Sequence, residues 1–235
     1  MTAAARARMR VRVPLLTVSA VAWLTLAVQP HGSAVCMMPS MRWTPASLLA
    51  ASAIMFAAMM VPLVGAPVAH VRDRSFARRR PRATVLFFAG YGLPWILAGA
   101  VLLWGASWIV ASGTAAVALA IAVIALWQCS PAKQRCLNRC HAHTELAAFG
   151  MKADLDVLRF GFTHARWCIG ACSGLMLLPM LFTRGHLAAM FAVTLWLAVE
   201  RIGKPLPAAW RWRGPGNVWR IAIGQARVWR LPSYG

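Results

Sequence analysis

Four cysteines of this chain occur as two pairs, each with a spacing of four residues. Cys136 and Cys140 form one pair, and Cys168 and Cys172 form the other. Residues four positions apart lie on the same face of a helix, so each pair would present both thiols in one direction. Paired thiols bind soft metal ions or exchange disulfides, and the spacing alone leaves both chemistries open.

The second pair belongs to a longer stripe of soft donor residues. Steps of four residues connect His164 to Met176 through the two cysteines, and Met55 and Met59 repeat the step elsewhere in the chain. Thiolate, thioether and imidazole together select Cu(I), whereas thiolate and imidazole also suit zinc. The alternative is packing, because Met and Cys commonly fill apolar cores. A histidine inside an apolar helix is costly and therefore favours a functional interpretation.

Two further features carry weaker signals. Glu200 is interpreted as an interfacial ion pair with the adjacent Arg201, with a ligand or proton acceptor as the alternative. A short loop also contains soft donors that suggest capture of an ion on the outer side. Its members are His31, Cys36, Met37, Met38 and Met41.

Long uncharged runs are the main feature of the chain. The elements that they form must position these residues. Of its 235 residues, 60% are hydrophobic and only 13% are charged, which is not the composition of a soluble domain. We therefore predict an all-α fold, a polytopic membrane helix bundle. The chain has no P-loop, dinucleotide fingerprint or nucleophile elbow, so the sequence does not favour an enzyme.

The uncharged runs predict six transmembrane helices in a single domain of residues 1–204. The expected ranges are near residues 13–29, 46–69, 83–106, 114–129, 160–182 and 186–200. The first run has an alternative interpretation as a cleaved signal peptide. Residues 205–235 form a basic tail in which Trp alternates with Arg, which is typical of a segment at lipid headgroups.

The net charge of +20 is concentrated at the ends of the apolar runs. Lys and Arg in short loops stay on the cytoplasmic side, so this distribution predicts that both termini are cytoplasmic. The basic loops and tail are expected to contact anionic lipids of the bilayer. Nucleic acid is not favoured as a partner, because the charge marks helix ends and not one continuous face.

Parts of the chain resemble a bacterial family of predicted metal-binding integral membrane proteins, known as the domain of unknown function 2182. The similar residues are Ala57 to Pro62, Pro131 to Lys133, Cys136, Leu137, Cys140, Gly161, His164, Cys168 to Gly170, Cys172, Leu175, Met176 and the Glu200-Arg201 pair. The resemblance implies a six-helix bundle in the bacterial cytoplasmic (inner) membrane, with a metal site and no established reaction. The family has adjacent cysteines followed by Trp where this chain has Ala171-Cys172-Ser173, which implies one thiol fewer and a weaker site.

The sequence thus predicts a membrane protein that binds or hands over a thiophilic ion by ligand exchange, with copper favoured over zinc. A protein that donates or accepts the metal is the expected partner. The predicted ligands are Cys136, Cys140, His164, Cys168, Cys172, Met59, Met55 and Met176. One alternative is a membrane thiol-disulfide oxidoreductase, although both pairs would lie on the reducing cytoplasmic side. The other is an accessory or scaffold subunit in which small and sulfur-containing residues only pack helices.

Overall fold

A computed structural model describes residues 3–28, 44–142, 144–182, 184–203 and 205–212. These residues form eight α-helices and two short 3-10 helices, and they contain no β-strand, so the predicted all-α class is confirmed. The α-helices are α1 (Ala3–Val28), α2 (Pro45–Met59), α3 (Gly65–Asp73), α4 (Arg80–Ala111), α5 (Thr114–Cys129), α6 (Pro131–Cys140), α7 (Gly150–Met180) and α8 (His186–Ile202). The 3-10 helices are Val61–Val64 and Ala77–Arg79.

Two helical segments are long and apolar enough to cross a membrane: Met9–Val28 and Ala77–Ala111. Two bent pairs of helices add two further crossings if each pair counts as one. In the first pair, Pro45–Met59 and Val61–Asp73 meet at 52°, and in the second, Thr114–Cys129 and Pro131–Cys140 meet at 61°. The described residues therefore contain two to four candidate spans, compared with the six predicted from the sequence.

The predicted helix of residues 46–69 is interrupted after Met59 by the 3-10 turn that contains Pro62. Proline has no amide hydrogen and restricts the residue before it, which accounts for the break. The helix predicted from residue 160 instead begins at Gly150. Its additional turns are charged, and Asp154 forms ion pairs with Arg79 and Arg82, at 2.5 and 2.7 Å.

The predicted basic tail and the outer loop with Cys36 fall mainly outside the described residues. Residues 205–212 of the tail are described and are not helical, with Trp210 and Trp212 exposed. The remaining tail residues, 213–235, and the loop residues 29–43 lie outside the described ranges.

The helices α4 and α7 form the central crossing of the fold. A β-carbon added at Gly161 of α7 would lie 2.5 Å from the Phe87 carbonyl oxygen, and one at Gly90 of α4 would overlap the Leu158 carbonyl oxygen. Only glycine allows the two backbones to approach this closely. The close approach sets Tyr91, the residue after Gly90, against the face of α7 that contains Cys168.

Candidate metal centre

The cysteines of α7 are completely enclosed by the helix bundle. Cys168 is 0% exposed and Cys172 is 1% exposed, and Met176, one turn further, is also buried. The two thiols lie one helical turn apart, close enough for their side chains to interact. The predicted stripe on α7 therefore faces the protein core and brings two thiols together there.

Two polar groups from other helices lie at the Cys168 sulfur. The Tyr91 hydroxyl oxygen of α4 lies 3.1 Å from this sulfur, within hydrogen-bonding distance. The Arg201 guanidinium of α8 donates through Nη2 to the same sulfur at 2.5 Å, and to the Cys172 sulfur at 3.7 Å. Charge-assisted hydrogen bonds of this kind stabilise a sulfur that carries negative charge.

The first cysteine pair lies beside the second because α6 bends away from α5 and packs on α7. Ser130 caps α6 by accepting a hydrogen bond from the Lys133 amide, and Pro131 occupies the first turn. The Cys136 sulfur packs against Gly170 of α7, where an added β-carbon would approach it to 2.8 Å. Both thiols of α6 are close enough to interact electrostatically with the Cys172 thiol.

The two pairs differ in their access to the surroundings. Cys136 is half-buried, whereas Cys140 is buried and interacts electrostatically with Arg201 and Cys168. Within the described ranges, no three His, Cys, Asp or Glu side chains are grouped closely enough to hold one metal ion together. The arrangement is therefore a buried thiol pair with two further thiols nearby, and it is not a preformed four-ligand cage.

His164 and the methionines of α2 occupy different surroundings from the thiols. The buried His164 ring packs among aromatic rings, with centroid distances of 5.5 Å to Tyr91, 6.0 Å to Phe160 and 6.4 Å to Phe87. Met55 packs against Gly99, roughly two turns beyond Tyr91 along α4. Met59 is buried in the core, and α2 reaches Tyr91 through the ring of Phe56, at a centroid distance of 5.6 Å.

A second buried polar cluster lies next to the thiols, at the junction of α5, α6 and α8. Lys133 Nζ lies 2.7 Å from each carboxylate oxygen of Glu200 and 2.6 Å from the Gln128 side-chain oxygen. The side-chain nitrogens of Gln128 and Trp196 also donate to Glu200. The expected pairing of Glu200 with the adjacent Arg201 is therefore wrong. Neighbouring residues on a helix point in different directions, so Glu200 faces Lys133 while Arg201 faces the thiols.

The sequence did not single out Tyr91, and it assigned Arg201 to an ion pair. A signal for Tyr91 was present, because it is one of only two tyrosines and lies between two glycines in an uncharged run. A phenol in such a run has to find a polar partner. No comparable local signal points to the Arg201–Cys168 contact, because 33 residues separate the two.

Fold and site together define an all-helical, strongly apolar protein with buried thiols suited to a soft metal ion. A family model described as PpoB2, copper chaperone, matches residues 49–221. This match extends over most of the chain, which therefore belongs to that copper chaperone family, and the matched range includes all the predicted ligands. No curated protein and no solved structure matches the chain. The prediction of a metal-binding family that handles copper is confirmed.

Proposed function

We propose that this protein is a membrane copper chaperone that receives Cu(I) and passes it on by exchange between sulfur ligands. The observation that carries the proposal is that the Cys168 and Cys172 thiols are both buried in the core and both within reach of one guanidinium nitrogen of Arg201. Two thiolates are sufficient for Cu(I), which accepts low coordination numbers, whereas structural zinc sites use four ligands.

The exposure of the four cysteines suggests the order in which the ion moves. Cys136, half-buried on α6, receives the ion from a donor protein or releases it to an acceptor. Cys140 then passes it to Cys172 and Cys168, with which it interacts electrostatically. Each step replaces one sulfur ligand by another and requires little rearrangement, because the coordination number changes by only one.

The remaining predicted ligands are assigned supporting roles in this proposal. The thioether of Met176, four residues after Cys172 and fully buried, is placed to add a third sulfur on α7. His164, Met55 and Met59 are retained as weaker candidate ligands, and they are not assigned to one common position. They rank below the cysteines, because His164 packs among aromatic rings and Met55 packs against Gly99.

We further propose that residues 1–204 cross the bacterial cytoplasmic membrane six times, with both termini in the cytoplasm. The two to four candidate spans support this topology, as do the large apolar side chains that α4 and α5 expose, which suit contact with lipid. The exposed Trp210 and Trp212 support a tail at the headgroups, where basic residues meet anionic lipid.

The proposal is tested by measuring Cu(I) bound to the full chain after anaerobic purification in detergent. Wild-type protein is expected to hold about one Cu(I) per chain, at the thiol pair of α7. Changing both Cys168 and Cys172 to Ser should abolish this binding. The matched control is Cys129→Ser, which removes a thiol outside both pairs and should leave the stoichiometry unchanged. Wild-type protein without stoichiometric copper under reducing conditions would refute the proposal.

The pairing of two thiols on α7 also favours a second candidate, a membrane thiol-disulfide oxidoreductase. Two neighbouring thiols become a disulfide by exchange with an oxidised partner protein, which is reduced in turn. Labelling of free thiols before and after reaction with an oxidised dithiol protein separates the two functions. Rapid, reversible loss of the Cys168 and Cys172 thiols, without copper binding, would favour the oxidoreductase.

A further inference from the structure

The guanidinium group of Arg201 is directed at two sulfur atoms in the core. Its Nη2 contacts Cys168 and Cys172, and its buried Nε has no hydrogen-bond partner among the described residues. The adjacent carboxylate, Glu200, is already bound to Lys133 and to two uncharged donors. The guanidinium is therefore directed at the position where a metal-thiolate complex would form.

We propose that Arg201 determines the ion specificity of this thiol pair by favouring a monovalent soft cation over a divalent one. The inference rests on the proposed function, in which Cys168 and Cys172 hold the ion. It goes further by naming Arg201 as the residue that discriminates between ions. The discrimination depends on the charge of the ion.

The argument follows from the charge that each complex would bury. Cu(I) with two thiolates carries one net negative charge, which the permanently charged guanidinium neutralises. A divalent ion with the same two thiolates is already neutral, so the guanidinium leaves one net positive charge in the core. Buried unbalanced charge is strongly unfavourable, and Arg201 therefore stabilises the monovalent complex and penalises the divalent one.

Arg201 acts in this mechanism as a positioning residue and not as a ligand. A guanidinium has no lone pair to offer a metal ion, but it can hydrogen-bond the sulfur atoms that do. Its direction depends on its neighbour: Glu200 is held by Lys133 on one face of α8, which turns Arg201 towards α7. The Tyr91 hydroxyl provides a second, uncharged contact at Cys168.

The test compares the affinities of the detergent-solubilised full chain for Cu(I), Ag(I) and Zn(II), measured anaerobically by competition with chelators. Arg201→Met should weaken Cu(I) binding by roughly 100-fold, because a unit charge a few ångströms away is removed from a partly shielded interior. Ag(I) binding should fall in parallel, whereas Zn(II) binding should stay constant or improve. Arg201→Lys retains the charge and should keep at least most of the Cu(I) preference.

The matched control is Arg184→Met, which removes an exposed charge just before α8, at the opposite end of that helix from Arg201. It should leave all three affinities unchanged. An unchanged ratio of Cu(I) affinity to Zn(II) affinity in Arg201→Met would overturn the role of Arg201. Loss of the preference for Cu(I) in a helical, folded Arg201→Lys protein would overturn it too. Absence of Cu(I) binding in the wild type would instead refute the proposed function itself.

Discussion

Lys133 binds both carboxylate oxygens of Glu200, at 2.7 Å each, and so connects the start of α6 to the end of α8. Lys133 is 0% exposed, so its charge is balanced inside the protein and not by water. A buried ion pair contributes little net stability, but removing one partner leaves an uncompensated charge. The pair therefore fixes the relative positions of the two helices that flank the thiols on α7.

Replacing Lys133 by Met should destabilise the protein by about 3 kcal/mol, because the Glu200 carboxylate loses its cationic partner. The measurement is the free energy of unfolding in detergent. The double variant with Lys133→Met and Glu200→Gln should recover most of this loss, since no unpaired charge remains. Lys152→Met, at an exposed position of α7, is the control and should have little effect. Similar losses in the single and double variants would contradict the prediction.

Replacing Gly161 by Ala should separate α4 from α7, because the new β-carbon meets the Phe87 carbonyl oxygen. We expect a loss of about 2 kcal/mol in the free energy of unfolding, together with weaker Cu(I) binding as Tyr91 moves away from Cys168. Gly105→Ala on α4 is the control: its β-carbon would meet no atom within 4 Å, so it should be neutral or slightly stabilising. Equal effects of the two substitutions would argue against a tight crossing at Gly161.

Replacing Cys136 by Ser should slow the release of Cu(I) without abolishing its binding. In the proposed order, Cys136 exchanges the ion with the outside, whereas the α7 pair holds it. Transfer to a competing soluble thiol should slow by about tenfold, equivalent to about 1.4 kcal/mol in the barrier. Stopped-flow measurement of copper transfer from the loaded protein tests this, with Cys129→Ser as the control. A Cys136→Ser protein that binds no copper would show that Cys136 belongs to the holding site.

Alkylation of the free thiols should follow the exposure of the cysteines. Cys136 should react well before Cys168 and Cys172, because a thiol has to be reached by the reagent before it can react. Peptide mapping by mass spectrometry after brief alkylation of the reduced protein gives the order. Loading with Cu(I) should slow the reaction of the α7 pair further. Labelling of Cys168 as fast as Cys136 would mean that the site is open to solvent.

Features set by nearby residues were predictable from the sequence. The range of α5 agrees with the prediction of residues 114–129, because helix-ending residues stand at both ends: Gly113 before it and Ser130-Pro131 after it. The shared face of Cys168 and Cys172 follows from helical periodicity alone. The start of α7 was placed too late, since a charged segment marks the end of an apolar run but not the end of a helix.

Features that depend on distant parts of the chain were not predictable. The burial of Lys133 is one of them, because the carboxylate that allows it lies 67 residues away. The partner of Arg201 depends in turn on which face of α8 Glu200 occupies, and hence on Lys133. The contact between Tyr91 and Cys168 requires the glycine crossing of α4 and α7, which no periodicity in either helix reveals.

The bend of 61° between α5 and α6 means that the two cysteine pairs approach each other on separate helices. Cys168 and Cys172 belong to the 31-residue helix α7, which packs closely against α4, whereas Cys136 and Cys140 belong to the ten-residue helix α6, which begins at Pro131. The distance between the two pairs is therefore set by the junction of α5 and α6 together with the Lys133–Glu200 pair, and not by the periodicity of one continuous helix.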